Sequence, residues 1–198
     1  MTSTPTASMP DSAPEGAPST PRPPLRELLP KEMWAVGVVA VGIVLVAASF
    51  IFFGASGRAL LGAVLCPVLV LLAVVDFQHR LLPNTIVFPA VLAVGLIVAA
   101  SDPGSFWKHL AAGAALGAFF LAFAVFYPGS MGMGDAKVGF LLGLALASRT
   151  FSAMIVAFAG LLVAALWVLG RRGLSARKQA IPFGPFLALG GIVGFFLG

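Results

Sequence analysis

The sequence predicts an all-α polytopic membrane protein with about seven (six to seven) transmembrane helices, and three observations support this fold class. Of the 198 residues, 60% are hydrophobic and only 10% are charged, whereas soluble domains carry about 25% charged residues. The mean hydropathy is +1.04, so most of the surface must face lipid rather than water. The apolar residues form long unbroken runs without the alternation of a β-barrel, and helices satisfy their backbone hydrogen bonds internally in such runs.

Residues 1–30 are predicted to form a disordered cytoplasmic tail that precedes a membrane domain over residues 31–198. The tail is rich in Pro, Ser, Thr and Ala and contains almost no large apolar residues, so it cannot offset the entropic cost of ordering. The first apolar run, Met33 to Phe53, is longer than the core of a signal peptide and long enough to span a bilayer. We therefore interpret it as a retained first helix.

Six further apolar stretches follow the first, and each is predicted to be a helix. The fifth of the seven is short and directly follows the letters MGMGD, so the number of spans falls to six if a short stretch is re-entrant. The six stretches cover approximately residues 59–76, 85–100, 108–127, 135–148, 150–169 and 183–197.

The distribution of Lys and Arg predicts that the N-terminus lies on the cytoplasmic side. In this orientation eight basic residues fall in inner segments and three in outer loops, as the positive-inside rule requires. The inner residues are Arg22, Arg26, Lys31, Arg80, Arg171, Arg172, Arg177 and Lys178. The outer residues are Arg58, Lys108 and Arg149. A topology signal explains the basic run RRGLSARKQA more simply than nucleic-acid binding, so no nucleic-acid partner is expected.

Two carboxylates stand at the ends of predicted spans, Asp76 at the end of the second and Asp135 at the start of the fifth. The charge distribution places both at the inner face. Either one alone is explained as an interfacial residue that solvates a helix end, and Asp135 also stands where a side chain caps a helix N-terminus. Two ionisable residues at one face, with no other carboxylate near a span there, favour a functional interpretation.

Paired carboxylates indicate acid–base chemistry on an amide. Two carboxyl groups held close together share one proton, because ionising both is unfavourable. The ionised group then acts as a general base on water while the protonated group donates to a carbonyl oxygen, which permits peptide hydrolysis without a metal or a covalent intermediate. Cys66 lies inside an apolar run, and His79 and His109 fall at opposite faces. No metal site or cofactor is therefore predicted.

Gly132 and Gly134 precede Asp135 in a G-x-G-D pattern. Glycine allows backbone conformations closed to other residues and close approach of another chain, so we expect a turn here that admits an extended substrate backbone beside the carboxylate. An ordinary loop is the alternative, since the pattern alone is weak. Elsewhere, small residues at four-residue spacing indicate closely packed helices. These pairs are Gly113 and Gly117, Gly139 and Gly143, and Gly190 and Gly194.

Three motifs resemble those of the type IV prepilin (leader) peptidases, which belong with the GxGD-type intramembrane aspartyl proteases. DFQHRLLPN is similar to the family's first aspartate motif, GMGDAK to its second, and IPFGPFLALGG to the late Pro-Phe-Gly-Pro segment before the last helix. The resemblance implies that Asp76 and Asp135 are the catalytic pair. It also implies cleavage of the short basic leader peptides of prepilin-like proteins, at the cytoplasmic face of the inner membrane, in a type IV pilus or secretion pathway.

The second and third motifs contain further residues with an assigned role. Lys137 matches the lysine of the second motif. It either shapes the site or extends from a span to the membrane interface. It need not pair with Asp135, because residues at positions i and i+2 of a helix do not face each other. The segment from Pro182 to Pro185 is interpreted as structural, because proline is tolerated in the first turn of a helix.

The chain departs from longer members of the family that it resembles. The resemblance implies that those members carry a cytoplasmic domain with paired cysteines, for zinc, and also N-methylate the new pilin terminus. This sequence has one cysteine, so a short form without N-methyltransferase activity is expected. One alternative function is a small transporter or channel whose two aspartates bind a proton or cation, and another is a non-catalytic assembly protein. A transport site is expected near the bilayer midplane, whereas both aspartates border span ends.

Overall fold

The structure is a computed structural model that describes residues 32–80, 82–127, 132–172 and 182–197. In these ranges the chain forms seven α-helices and no strand, which confirms the predicted all-α fold. The helices are α1 Glu32–Phe53, α2 Gly57–His79, α3 Asn84–Ser101, α4 Phe106–Phe126, α5 Met133–Leu146, α6 Thr150–Arg172 and α7 Gly184–Leu197. The predicted tail and most of the run RRGLSARKQA lie outside the described residues.

Several of these helices have the length and composition of membrane spans. Within the described residues, the stretches long and apolar enough to cross a bilayer are Trp34–Phe53, Gly57–His79, Asn84–Ser101, Phe106–Phe126 and Met133–Arg171. The last of these joins α5 to α6 through a 3-10 turn at Ala147–Arg149, and α7 is apolar but shorter. Large apolar side chains cover the outer surface, with Ile43 64% exposed and Phe151 76% exposed. Lipid rather than water accommodates such a surface, and the chain is a multi-pass membrane protein.

Helix α5 lies at the centre of the bundle. Ten of its 14 residues are buried, and it packs most extensively on α4, with further contacts to α3 and α7. At Gly143 a Cβ atom would collide with the backbone of Ala112 on α4, and at Gly190 of α7 it would collide with the backbone of Ala153 on α6. The small residues therefore allow close helix packing, as the four-residue spacing predicted.

Four helix ends meet at one end of the bundle. Helix α2 is terminated by Arg80, which adopts a left-handed backbone (φ 52°, ψ 32°) and donates its N–H to the carbonyl oxygen of Asp76. Helix α3 begins soon afterwards at Asn84, α5 begins at Met133, and α7 begins at Gly184. Because α7 packs against both α2 and α5, the fold brings the end of α2 beside the starts of α5 and α7.

Candidate active site

Asp135 is held by the start of its own helix. It is the third residue of α5 and 7% exposed, and its Oδ2 accepts a hydrogen bond of 3.2 Å from the backbone N–H of Gly132. Gly132 has no side chain with which to complete a capping box, so only the half contributed by Asp135 is present. A carboxylate in this position stabilises the positive end of the helix dipole. The capping role that its sequence position indicated is confirmed.

Asp76 is held by a helix remote in sequence. It lies in the last turn of α2, is 7% exposed, and accepts at Oδ2 a hydrogen bond of 2.9 Å from the N–H of Gly184, 108 residues away. A Cβ atom at Gly184 would lie only 2.8 Å from the Cβ of Asp76, so a larger residue would displace the carboxylate. The segment from Pro182 to Pro185 was interpreted as structural, and Gly184 adds to that interpretation a direct contact with Asp76.

The fold brings the two aspartates into one electrostatic environment. The charges of Asp76 and Asp135 act on each other, and the positive charge of Arg80 acts on Asp76. Each carboxylate accepts one N–H from the start of a helix, α7 for Asp76 and α5 for Asp135. Helix N-termini favour negative charge, so each of these N–H groups stabilises the ionised form of the carboxyl group that accepts it.

Lys137 joins two helices. Its Nζ donates a hydrogen bond of 2.5 Å to Oδ1 of Asn84 and lies 5.5 Å from the ring centroid of Phe88. Both partners belong to the first two turns of α3. Lys137 therefore joins the start of α3 to α5, and both interpretations of its role stay predictions. Asn84 is the last letter of the first aspartate motif, and sequence reasoning assigned it no contact.

The two glycines of the G-x-G-D pattern differ in their surroundings. Gly132 has φ −79° and ψ 145°, an extended conformation open to any residue, and a Cβ atom there would meet nothing closer than 3.7 Å. The expectation of a backbone conformation reserved for glycine is therefore wrong at Gly132. Gly134 lies inside α5, and its Cβ would come within 2.8 Å of the Cβ of Leu82. Gly134 therefore allows close approach of the chain's own segment between α2 and α3, and the expected approach of a substrate backbone stays a prediction.

The remaining candidate groups lie apart from the two aspartates. Cys66 is completely buried in the middle of α2. His79 ends α2, whereas His109 lies in the first turn of α4 and contacts the carbonyl oxygen of Leu144, near the far end of α5. The two histidines are therefore at opposite ends of the bundle, as predicted. In the part of the chain that the structure describes, no three His, Cys, Asp or Glu side chains come together as a metal site would require.

Comparison with known proteins identifies relatives of this chain. The sequence pattern of the type IV leader peptidase family matches residues 63–169, which is more than half of the chain and includes both aspartates. A prepilin leader peptidase/N-methyltransferase of Bacillus subtilis (strain 168) is 35% identical over 163 residues, which cover 78% of this chain. A prepilin leader peptidase/N-methyltransferase of Burkholderia pseudomallei (strain 1026b) is 32% identical over 187 residues, which cover 89% of this chain.

These relatives are longer proteins. The matched region is 62% of the Bacillus subtilis protein and 57% of the Burkholderia pseudomallei protein, so the chain spans about three-fifths of their length. No solved structure matches the chain significantly. The family pattern and the identity to these two relatives nevertheless agree on one relationship. The chain belongs to the type IV leader peptidase family.

Proposed function

We propose that this chain is an aspartyl endopeptidase that cleaves the leader peptide of type IV prepilin-like proteins, with Asp76 and Asp135 as the catalytic pair. The observation that supports the proposal most directly is the placement of two buried carboxylates whose charges act on each other at one end of the bundle. Family membership supports prepilin-like proteins as the substrates. The positive-inside distribution supports cleavage at the cytoplasmic face of the inner membrane.

The reaction needs one ionised and one protonated carboxyl group. The ionised aspartate removes a proton from water, whose oxygen attacks the carbonyl carbon of the scissile peptide bond. The protonated aspartate donates its proton to the carbonyl oxygen, so a neutral tetrahedral diol forms. The first aspartate then passes its proton to the amide nitrogen as the C–N bond breaks. Collapse of the diol returns a proton to the second aspartate, and the net reaction consumes one water.

The hydrogen bonds of the site are compatible with one aspartate acting as a base and the other as an acid. One oxygen of each aspartate accepts a backbone N–H from a helix start, and that bond fixes the orientation of the carboxyl group. The second oxygen of each has no hydrogen-bond partner among the described residues. It is therefore available to the nucleophilic water or to the substrate carbonyl. Backbone donors on a rigid helix position a reacting group more precisely than a flexible side chain does.

The peptidase is proposed to act without N-methyltransferase activity. The chain has a single cysteine, and that cysteine is buried in α2 with none of its surface exposed. The paired-cysteine arrangement of longer members, which the sequence resemblance implied, cannot form from it. Mass spectrometry of the pilin processed by this chain alone is expected to show an unmodified N-terminus, and a methylated terminus would refute this part of the proposal.

The location of the carboxylates favours hydrolysis over transport. A site that carries a proton or cation across a bilayer is expected near the midplane, whereas Asp76 lies in the last turn of α2 and Asp135 in the first turn of α5. Proteoliposomes are therefore expected to show no uptake of protons or cations that depends on Asp76.

Co-expression with a prepilin-like substrate in membranes tests the proposal. Asp76→Asn and Asp135→Asn are each expected to lower the rate of leader cleavage by about 10³-fold or more, because either change removes a proton acceptor or donor. Asp102→Asn is the matched control, since Asp102 is exposed and lies between α3 and α4 at the other end of the bundle. Cleavage that persists in either of the first two variants, at protein levels equal to the wild type, would refute the two-aspartate mechanism.

A further inference from the structure

A cavity of about 370 Å³ lies at the end of the bundle opposite the two aspartates. It is bordered by the starts of α2 and α4 and by the 3-10 turn that follows α5. Arg58 lines it and precedes Asp76 by 18 positions in α2, which is about 27 Å along a helix at 1.5 Å per residue. The cavity is therefore distinct from the proposed peptidase site.

Basic side chains converge on this cavity. Arg58, Lys108 and Arg149 line it together with His109. Among the described residues, Asp102 is the only acidic one in the lining, and its Oδ1 accepts the N–H of Ser105 within its own loop. The lining therefore has a net positive charge even when the histidine is neutral.

Arg58 has buried hydrogen-bond donors that the described residues leave without a partner. The Nε and Nη2 atoms of Arg58 are buried without a hydrogen-bond partner in the described residues. The guanidinium of Arg58 lies 4.3 Å from the ring centroid of Phe53, and its charge is close enough to that of Arg149 for the two to act on each other. Buried donors without partners and adjacent like charges are both unfavourable. An anion between the two arginines removes both costs.

The backbone adds to the positive potential. Helix α2 begins at Gly57 and α4 at Phe106, and residues of both helix starts line the cavity. The N–H groups of a helix start favour anions. His109 is fixed by its contact of 2.7 Å from Nδ1 to the carbonyl oxygen of Leu144, so Nδ1 carries the proton and the ring orientation is set.

We propose that this cavity binds a phosphate oxyanion, from either an anionic phospholipid headgroup or free inorganic phosphate, with Arg58 and Arg149 as its principal ligands. The planar guanidinium matches phosphate oxygens with paired hydrogen bonds. The volume far exceeds the roughly 30 Å³ that one water occupies in the liquid, and it accommodates a phosphodiester with part of its glycerol. Leu61, Ile97 and Phe195 form an apolar wall beside the cations, against which the lipid's apolar part packs.

Native mass spectrometry and thermal unfolding of the purified full chain in neutral detergent test the proposal. The probes are phosphatidylglycerol, phosphatidylcholine and inorganic phosphate. Wild type is expected to retain phosphatidylglycerol or to gain Tm with inorganic phosphate, and Arg58→Gln and Arg149→Gln are each expected to raise the apparent Kd about tenfold. Arg171→Gln is the charge-matched control, because Arg171 is exposed and lies against Trp167 at the other end of the bundle.

The possible outcomes distinguish a lipid headgroup, a soluble anion and failure of the proposal. Retention of phosphatidylglycerol that both cavity variants lose identifies a lipid headgroup. A Tm increase with inorganic phosphate alone, lost in the same variants, identifies a soluble anion. If Arg58→Gln does not fold, Arg149→Gln and Arg58→Lys supply the comparison. Equal binding of all probes by wild type and the cavity variants, or binding lost equally in Arg171→Gln, overturns the proposal. Leader cleavage is expected to be unchanged in both cavity variants.

Discussion

The two aspartates occupy one end of the bundle but are held there in different ways. Asp135 is positioned locally, by the N–H of Gly132 three residues before it. Asp76 is positioned by tertiary structure, since its hydrogen bond comes from Gly184, 108 residues away. The geometry of Asp135 is therefore set as soon as α5 forms, whereas that of Asp76 is set only when α7 docks. The pair is consequently most sensitive to changes at the junction of α2 and α7.

Gly184→Ala is expected to cause the largest loss of activity among the glycine variants. All three of the atoms nearest to the added methyl group belong to Asp76, at 2.5–2.8 Å, so the carboxylate must move. Misplacement of a reacting group by about 1 Å can cost about 100-fold in rate, and we expect a loss of that size in leader cleavage at equal protein levels. Gly170→Ala is the control, because nothing lies within 4 Å of its added methyl. An unimpaired Gly184→Ala enzyme would contradict the proposed role of α7.

Gly134→Ala is expected to have an intermediate effect, a loss of about tenfold in leader cleavage. Its methyl group would come within 2.8 Å of the Cβ of Leu82 and 3.0 Å of Cδ1, which displaces the segment between α2 and α3 rather than an aspartate. Leu82→Ala removes two of the three nearest atoms and is expected to restore part of the activity in the double variant. If the double variant is no more active than Gly134→Ala, the contact with Leu82 is not the cause.

Lys137→Met is expected to affect stability more than activity. The change removes the hydrogen bond to Asn84 across α3 and α5 and leaves a partly buried amide without its donor, which costs about 1–3 kcal/mol in the free energy of unfolding. Thermal unfolding in detergent measures the effect. Asn84→Ala and the double variant complete a double-mutant cycle. Strictly additive destabilisation in that cycle would show that the two side chains do not interact.

Gly132→Ala is expected to have the smallest effect, a change of less than about threefold in leader cleavage. Its backbone conformation suits any residue and the added methyl has space, so neither backbone strain nor a steric clash is expected. The same added methyl group is therefore expected to have a small effect at Gly132 and a large one at Gly184. A loss at Gly132 as large as that at Gly184 would support the expectation that the turn before Asp135 admits the substrate backbone, rather than the alternative of an ordinary loop.

The helices and the two aspartates could be predicted because their signals are local. Long apolar runs define spans wherever they occur, and Asp76 and Asp135 interrupt such runs at their ends. The counting of basic residues then placed both aspartates at one face. Close packing at Gly143 and Gly190 was likewise readable from four-residue spacing, since that spacing puts small residues on one side of a helix.

The contacts that hold the site could not be predicted because they join distant segments. The bond from Gly184 to Asp76 spans 108 residues and that from Lys137 to Asn84 spans 53, and neither leaves a periodic pattern. Gly184 stands between Pro182 and Pro185 in the sequence. This pattern indicates the start of a helix, but it does not indicate a contact with Asp76. Arg58 and Arg149 counted only as outer-loop charges, although folding places them around one cavity.

The burial of Cys66 has a practical consequence for measuring the orientation of the chain. This thiol is the only one in the sequence and has no exposed surface, so the natural protein is a silent background for maleimide labelling. A cysteine introduced at Ser148, which is exposed at the end of α5, would react with a membrane-impermeant reagent only from the compartment it faces. One at Met133, 67% exposed at the start of α5, would report the opposite compartment.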